Sequence, residues 1–198
     1  GGIPLMLGIS KDSIENLEEK IHGAFNSDLL ITSAGVSKGD YDIVKDFLSK
    51  NGEIKLWSVN MKPGKPLAFG SLKRNAKKSL PHIGLPGNPV SSLVAFHQFV
   101  RPAIHKMMGR KPTEIPTIKA ILENKIENTD GRRVYARVSI SKKNGDIYAS
   151  LSGPQASNIL SSMSTGNGLA ICHENTPVKN VGDVIDVQML GWNELEID

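Results

Sequence analysis

The sequence is poor in cysteine and has no long apolar run. Its single cysteine, Cys172, cannot form an internal disulfide, and no set of cysteines and histidines has the spacing of a zinc site. No stretch of eighteen apolar residues indicates a transmembrane helix. These absences exclude a disulfide framework and a structural zinc module. They favour a soluble protein of the reducing cytoplasm.

Aromatic residues are also scarce, and charge is unevenly distributed. Residues 1–112 carry 16 Lys and Arg against 9 Asp and Glu, whereas residues 113–198 carry 8 against 11. This asymmetry predicts two modules, the first of which binds an anionic ligand. Nucleic acid is disfavoured as that ligand, because aromatic residues make up only 5% of the chain and no nucleic-acid-binding motif accompanies the lysines. We therefore expect a small-molecule substrate.

Apolar residues in the first part recur with the periods of alternating strands and helices. The predicted strands are 3–9, 28–33, 54–60, 66–70 and 81–85, and the predicted helices are 14–25, 43–48 and 90–108. The basic segment 73–78 is predicted to be a solvent-facing loop tip. Pro102 predicts a kink or a break in the last helix. The alternation predicts a three-layer α/β/α domain with a mostly parallel sheet over residues 1–112.

The second part, residues 113–198, has short runs typical of strands with turn residues between them. The predicted strands are 117–126, 132–141, 146–151, 169–173 and 183–190, with a helix only at 157–163. Asn144-Gly145 is a strong hairpin signal, and Cys172 is expected in the core. We predict a small all-β barrel or sandwich.

The first loop that could bind a ligand follows the strand that ends at Thr32-Ser33. It passes Gly35 and Gly39 and enters a helix near Asp40. Ligands bind at this edge of a parallel sheet, and glycine amides with a helix N-terminus favour a phosphate or similar oxyanion. A plain turn in which Asp40 caps the helix is the structural alternative.

Carboxylates beside an anion site predict a cation between them. Asp40 and Asp42 would repel the ligand unless Mg²⁺ bridges them to it. Asp12 lies between the first strand and its helix, where it either caps the helix together with Glu15 or faces the ligand.

Two more loops are predicted to reach the ligand. In the first, prolines hold Lys62 and Lys65 on a rigid turn, which suits the clamping of an anion; ordinary surface lysines are the alternative. The second, residues 84–89, joins a strand to a helix and presents Asn88; a stiff connector is the alternative.

Taken together, residues 32–42, 61–66 and 84–89 resemble the molybdopterin molybdotransferases, the family that includes the C-terminal domain of gephyrin. The likeness extends through residues 7–12, 90–96, 101–103, 131–137 and 152–163. This family takes adenylylated molybdopterin, cleaves its phosphoanhydride with release of AMP, and inserts molybdate with the help of Mg²⁺. The resemblance implies the same reaction and a homodimeric, cytoplasmic full-length protein.

The resemblance also implies roles for individual residues. Catalytic roles fall on Asp12, Asp42, Lys62 and Lys65, and metal binding falls on Asp12, Asp40 and Asp42. The implied substrate-binding residues are Thr32, Ser33, Gly35, Ser37, Gly39, Asp40, Pro63, Gly64, Pro86, Gly87, Asn88 and Pro89.

The chain departs from the family pattern at Ala34, where the family usually has glycine; the change is mild if the φ angle there is negative and strained if it is positive. The resemblance implies that the first strand and helix of the α/β domain are missing from residues 1–112, so the chain is expected to be part of a longer protein. The alternative functions are a gephyrin-like scaffold that binds peptides and a molybdopterin adenylyltransferase.

Overall fold

The computed structural model describes residues 2–11, 13–34, 47, 50–75, 78–110 and 115–190, without the side chains of residues 74 and 75. In the first part the strands are β1 (Leu30–Ser33), β2 (Gly52–Ser58), β3 (Met61–Lys62), β4 (Pro66–Asn75) and β5 (Lys78–Leu85). The helices are α1 (Ile14–Gly23), α2 (Pro89–Ala95) and α3 (Arg101–Met107), with a π-helical segment (Phe96–Val100) between α2 and α3.

Four of these strands form a mixed sheet in the order β1-β5-β4-β2. Strands β1 and β5 are parallel, with Leu30 beside His82 and Ser33 beside Leu85. Strand β4 is antiparallel to both β5 and β2. The prediction of a mostly parallel sheet is therefore wrong for the described strands.

The sheet is mixed because β4 and β5 form a long hairpin. The basic segment around residues 73–78 was predicted to be a loop tip, but β4 continues to Asn75 and β5 starts again at Lys78. The exposed Lys73 pairs with Ser79 across this hairpin. Because so short a connection reverses the chain, β4 and β5 must be antiparallel.

Apolar side chains pack on both faces of this sheet. On one face, Leu17 and Ile21 of α1 pack with Leu30, Leu72 and Leu80 of the strands. On the other face, Ala95 and Val100 of the long helical stretch pack with Leu67, Ile83 and Leu85. Side chains alternate along each strand, so consecutive residues of β5 serve opposite faces.

Helix α1 begins at a serine cap. The side chain of Ser13 accepts a hydrogen bond from the backbone N–H of Asn16 at 3.2 Å. The N-cap position is therefore held by Ser13, and the predicted cap Asp12 lies outside the described residues. The helix runs to Gly23, close to its predicted end.

The prediction of a break near Pro102 is confirmed. Helix α2 gives way to the π-helical segment at Phe96, and regular α-helix resumes at Arg101. Proline has no N–H to donate to the residue four positions earlier, so the regular ladder is interrupted there.

The predicted strand 3–9 is wrong, since these residues form neither strand nor helix. The apolar side chains Ile3, Met6 and Ile9 are 97%, 86% and 91% exposed. An apolar run forms a strand only when a neighbouring strand takes up its backbone hydrogen bonds. Among the described residues no strand pairs with it.

The second part is a small barrel, as predicted. Its strands are β6 (Thr117–Leu122), β7 (Ile126–Glu127), β8 (Arg133–Lys143), β9 (Asp146–Leu151), β10 (Gly168–Cys172), β11 (Val178–Lys179) and β12 (Val184–Met189). The order β10-β12-β6-β9-β8 closes because β8 also pairs with β10. Asn144 and Gly145 both have positive φ, which fits the tight hairpin predicted between β8 and β9. The buried Cys172 lies in the barrel core.

The predicted helix 157–163 is shortened to α4 (Ser161–Ser164). The chain before it is held in an irregular path by Arg137 of β8, whose guanidinium donates to the carbonyls of Pro154 and Ala156 at 3.2 and 3.1 Å. It also donates to Ser162 Oγ at 3.1 Å. The carbonyl of Ala156 also accepts from the backbone N–H of Ile159 at 3.2 Å, a turn-type bond, and regular helix begins only at Ser161.

The two parts meet along a shared sheet edge and an apolar cluster. Strand β3 pairs in parallel with β8, with Met61 beside Arg133. Met61 and Val94 of the first part pack against Tyr135 and Leu169 of the barrel. None of the helices in the described part of the chain is long and apolar enough to cross a membrane.

Candidate functional site

The ends of β1 and β5 bring two of the predicted loops together. The backbone N–H of Ala34, just after β1, donates to the carbonyl of Leu85 at 3.1 Å. A Cβ atom added at Gly87 would lie 3.2 Å from the Cβ of Ala34. The two loops are thus in contact at the carboxyl edge of the parallel pair, where the sequence places the ligand.

The side chain of Thr32 is hydrogen-bonded to a buried histidine. Its Oγ1 and His82 Nε2 share a hydrogen bond of 3.0 Å. His82 is fully buried, and burial lowers its pKa from 6.5 to about 4. The imidazole is therefore neutral at physiological pH, and it fixes the Thr32 hydroxyl without adding charge.

Ala34 adopts the backbone conformation with positive φ, which strains alanine. Its φ angle is +80°, in the left-handed region where a side chain other than glycine crowds the backbone. Such a conformation costs about 1–2 kcal/mol, so the end of β1 is held by its contacts with Leu85 and Gly87.

The lysine turn packs against helix α2. Lys62-Pro63 is a cis peptide bond, and Pro63 and Gly64 are buried. A Cβ atom added at Gly64 would lie 3.4 Å from the carbonyl oxygen of Ser91. Gly64 therefore lets the turn approach the helix closely, while Lys62 and Lys65 stay exposed on either side of it.

The third loop ends in the cap of that helix. Asn88 Oδ1 accepts from the backbone N–H of Ser91 at 3.3 Å, and Pro89 opens α2. The carbonyl of Pro86 accepts from the hydroxyl of Ser92. Asn88 Nδ2 also donates to Ser157 Oγ of the barrel at 3.3 Å. Asn88 therefore caps α2 and also contacts the second part of the chain through Ser157.

An open depression of about 500 Å³ lies where the two parts meet. It is lined by Ser58, Val59, Asn60, Lys65, Asp130 and Arg132. The first four come from the segments that flank β3, and the last two come from the barrel. Asn88 is not among the lining residues, so this depression does not bring Lys65 and Asn88 together.

Lys65, Arg132 and the carboxylate of Asp130 line the depression, and Lys62 lies beside it as an ion-pair partner of Asp130. Arg132 Nε donates to Asp130 Oδ2 at 3.1 Å, and Lys62 Nζ lies 3.6 Å from the same oxygen. The hydrogen bond from Arg132 is the largest of several effects that lower the pKa of Asp130 to about 2. Arg132 Nη1 also donates to the carbonyl of Met61 at 3.4 Å, which ties the barrel to β3.

With Lys65, these groups leave an excess of two positive charges over the single carboxylate. Lys and Arg side chains on rigid backbone are suited to hold phosphate or another oxyanion, and a guanidinium can offer two parallel donors. The depression can therefore bind and orient a doubly charged anion.

Several predicted site residues lie outside the described part of the chain. They are Asp12, Gly35, Ser37, Gly39, Asp40 and Asp42. These include all three predicted metal ligands, so the magnesium site stays a prediction. Among the described residues, no group of three acidic, histidine or cysteine side chains could hold a metal ion.

Sequence reasoning missed Asp130 and Arg132. The pattern Asp130-Gly131-Arg132 marks a turn with charged flanks, and Gly131 has a φ of +66°. Nothing in the sequence places this turn next to Lys62, because the two are joined only when β3 adds to the edge of the barrel.

Comparison with known proteins gives the family of the chain. Residues 1–106 match the family described as "Probable molybdopterin binding domain", and residues 119–190 match "MoeA C-terminal region (domain IV)". The chain belongs to the molybdopterin-binding domain family. The resemblance of the three loops to molybdopterin enzymes is thereby confirmed at the level of the family.

Individual relatives point to the same family. The chain is 34% identical to the molybdopterin molybdenumtransferase of Haemophilus influenzae over 92% of its own length and 45% of that protein. It is 32% identical to gephyrin of Dictyostelium discoideum over 94% of its length and 29% of that protein. The solved MoeA protein of Pyrococcus horikosii matches 94% of the chain and is itself covered to 44%, with a TM-score of 0.74 and 27% identity. The chain spans less than half the length of each.

Proposed function

We propose that the chain takes part in molybdenum cofactor biosynthesis as a molybdopterin molybdotransferase that inserts molybdate into adenylylated molybdopterin and releases AMP. One observation carries the proposal. Lys65 and Arg132, from the two different family domains, line one depression with an excess of positive charge. Both molybdate and the phosphates of an adenylylated substrate are oxyanions that such a depression would hold.

The residues are assigned as follows. Lys62, Lys65 and Arg132 neutralise the oxyanion and the charge that develops on phosphate as the phosphoanhydride breaks. Thr32 and Ser33, at the end of β1, supply hydroxyl groups beside the contact between Ala34 and Gly87. Pro63, Gly64, Pro86 and Pro89 shape the backbone that carries these groups. No protein nucleophile is required, because positioning and electrostatics account for the cleavage.

Magnesium belongs to the proposal. A bound Mg²⁺ would neutralise phosphate charge during cleavage. Asp12, Asp40 and Asp42 are the residues proposed to hold it, with Gly35, Ser37 and Gly39 lining the adjoining loop. This assignment is supported by two carboxylates beside a predicted anion-binding loop, where a bridging cation is needed.

Three further features of the organisation are inferred. The domains are proposed to be residues 1–112 and 113–198, which is supported by the separate family matches to 1–106 and 119–190. A three-layer α/β/α arrangement is supported by apolar clusters on both faces of the first sheet. Homodimerisation and a cytoplasmic location are proposed from the resemblance alone.

The test is release of AMP from adenylylated molybdopterin in the presence of Mg²⁺ and molybdate. We expect Lys65→Ala and Arg132→Ala each to lower kcat/KM at least about tenfold, since each removes a charge-assisted contact worth roughly 1.5–3 kcal/mol. Lys55→Ala is the matched control, because Lys55 is an exposed lysine on β2 that does not line the depression. Its rate should stay unchanged.

Two outcomes would contradict the proposal. One is the absence of molybdate-dependent AMP release from a folded chain. The other is a loss of rate in Lys55→Ala as large as that in Lys65→Ala, which would show that net charge rather than the depression matters.

A further inference from the structure

Asp130 is an acidic side chain in a depression that otherwise favours anions. It lines the depression together with Lys65 and Arg132, and it forms an ion pair with Lys62. The proposed function assigns work to the three cations and none to this carboxylate. Its position therefore calls for a separate explanation.

The contacts of Asp130 are those that an incoming oxyanion would make. Its Oδ2 accepts from Arg132 Nε at 3.1 Å and also from Nη2. The same oxygen lies 3.6 Å from Lys62 Nζ. One carboxylate oxygen of Asp130 thus pairs with both the guanidinium of Arg132 and the ammonium group of Lys62.

We propose that Asp130 is a built-in competitor for the oxyanion: its carboxylate pairs with Arg132 and Lys62 in the empty site and weakens anion binding until the ligand displaces it. Asp130 thereby sets the affinity of the site and favours release. The inference rests on the proposed function, because it needs the depression to be an anion site.

A negative charge beside the site repels anionic ligands in proportion to their own charge. The Coulomb repulsion from Asp130 is twice as large for a dianion as for a monoanion of the same shape and position. Removing that charge should therefore raise the affinity for a tetrahedral dianion more than that for a tetrahedral monoanion. A purely structural role for Asp130 predicts no such dependence on ligand charge.

Asp130 also has a local structural contact that the test must preserve. Its Oδ1 accepts from the backbone N–H of Arg132 at 3.3 Å, which closes the turn at Gly131. Asparagine retains an oxygen at that position, while its NH2 group replaces Oδ2 and the charge is lost. Asp130→Asn is therefore the informative variant, and Asp130→Glu keeps the charge.

The chain offers a matched control one residue away. Arg133 pairs with Glu174, with Nε 3.2 Å from Oε1, and neither residue lines the depression. The exposed fraction of the carboxylate side chain is 33% in both Glu174 and Asp130. Glu174→Gln raises the net charge of the protein by the same amount as Asp130→Asn, but it frees no cation in the site.

The experiment is a calorimetric titration of the chain with molybdate and with perrhenate, a tetrahedral monoanion, at one fixed ionic strength. For Asp130→Asn we expect the affinity to rise about fivefold for molybdate and about twofold for perrhenate, following the ratio of ligand charges. Asp130→Glu and Glu174→Gln should stay within about twofold of the wild type for both anions. Thermal melting of each variant shows whether it is folded.

The outcomes separate this inference from the proposed function. If the wild type binds molybdate but Asp130→Asn, while folded, binds it no better, the competitor role is overturned and the proposed anion site stands. An equal gain in Glu174→Gln would also overturn the competitor role, because it would reflect net charge alone. If neither the wild type nor Asp130→Asn binds molybdate, the anion site fails and the inference fails with it.

Discussion

Asn88 Nδ2 donates to Ser157 Oγ at 3.3 Å, so the residue that caps helix α2 also contacts the barrel. The same side chain accepts from the backbone N–H of Ser91 through its Oδ1. Both ends of one amide are therefore used, one within the first part and one across the boundary between the parts.

Two substitutions should separate the capping role of Asn88 from its contact with Ser157. Asn88→Ala removes both contacts and should lower the free energy of unfolding by about 1–2 kcal/mol, mainly through loss of the cap. Asn88→Ser keeps a capping hydroxyl and should cost less than about 1 kcal/mol. Urea unfolding of both variants measures the difference, and an equal loss would show that the cap contributes nothing.

Ala34→Gly should stabilise the protein. The φ angle of +80° strains alanine but not glycine, while glycine adds entropy to the unfolded chain, so the net gain should be roughly 0.5–1 kcal/mol. Ala103→Gly is the control, because Ala103 lies in α3 and the same change there should destabilise by roughly 0.5–1 kcal/mol. A loss of stability in Ala34→Gly would contradict the strain at this position.

Protonation of His82 on unfolding should make the free energy of unfolding depend on pH. Its pKa is about 4 in the folded protein and 6.5 when solvated. Between these values the unfolded chain binds a proton that the folded chain does not, so stability is full above pH 6.5 and falls as the pH drops toward 4. The loss should reach about 3 kcal/mol.

Chemical unfolding at several pH values measures this contribution. His82→Gln cannot titrate, so its stability should change much less than that of the wild type between pH 7 and pH 4.5. If the two proteins lost stability in parallel over this range, the titration of His82 would not be the cause.

Arg137→Met should be strongly destabilising. The buried guanidinium of Arg137 donates to the carbonyls of Pro154 and Ala156 and to Ser162 Oγ, and all three would lose this donor, although Ala156 keeps its bond from the Ile159 N–H. We expect a loss of about 3 kcal/mol in the free energy of unfolding. Arg133→Met, which removes a half-exposed ion pair with Glu174, should cost less than about 1 kcal/mol. Similar losses in the two variants would contradict this account of Arg137.

Local features of the fold were predictable from the sequence. Pro102 predicted the interruption of the long helix, and Asn144-Gly145 predicted the hairpin, because each residue type limits its own backbone. The mixed sheet was not predictable in the same way. Whether two neighbouring strands run parallel or antiparallel depends on the connection between them, and the lysine-rich segment around residues 73–78 was interpreted as a loop rather than as part of a hairpin.

The candidate site was predictable only in part. The contact between the Ala34 and Gly87 loops follows from the shared edge of β1 and β5, which the strand pattern indicated. Arg132 and Asp130 could not be found in this way. They reach Lys62 through the pairing of β3 with β8, and the hydrogen bond from Arg132 to Met61 joins residues 71 positions apart.

The location of the oxyanion tests the central claim most directly. Crystals of the chain grown with molybdate can be measured at the molybdenum absorption edge, where anomalous scattering marks the metal without ambiguity. We predict a molybdenum peak in the depression, in contact with Lys65 and Arg132, which disappears in the Arg132→Ala variant. A peak at another place on the chain, with the depression unchanged by molybdate, would contradict the account.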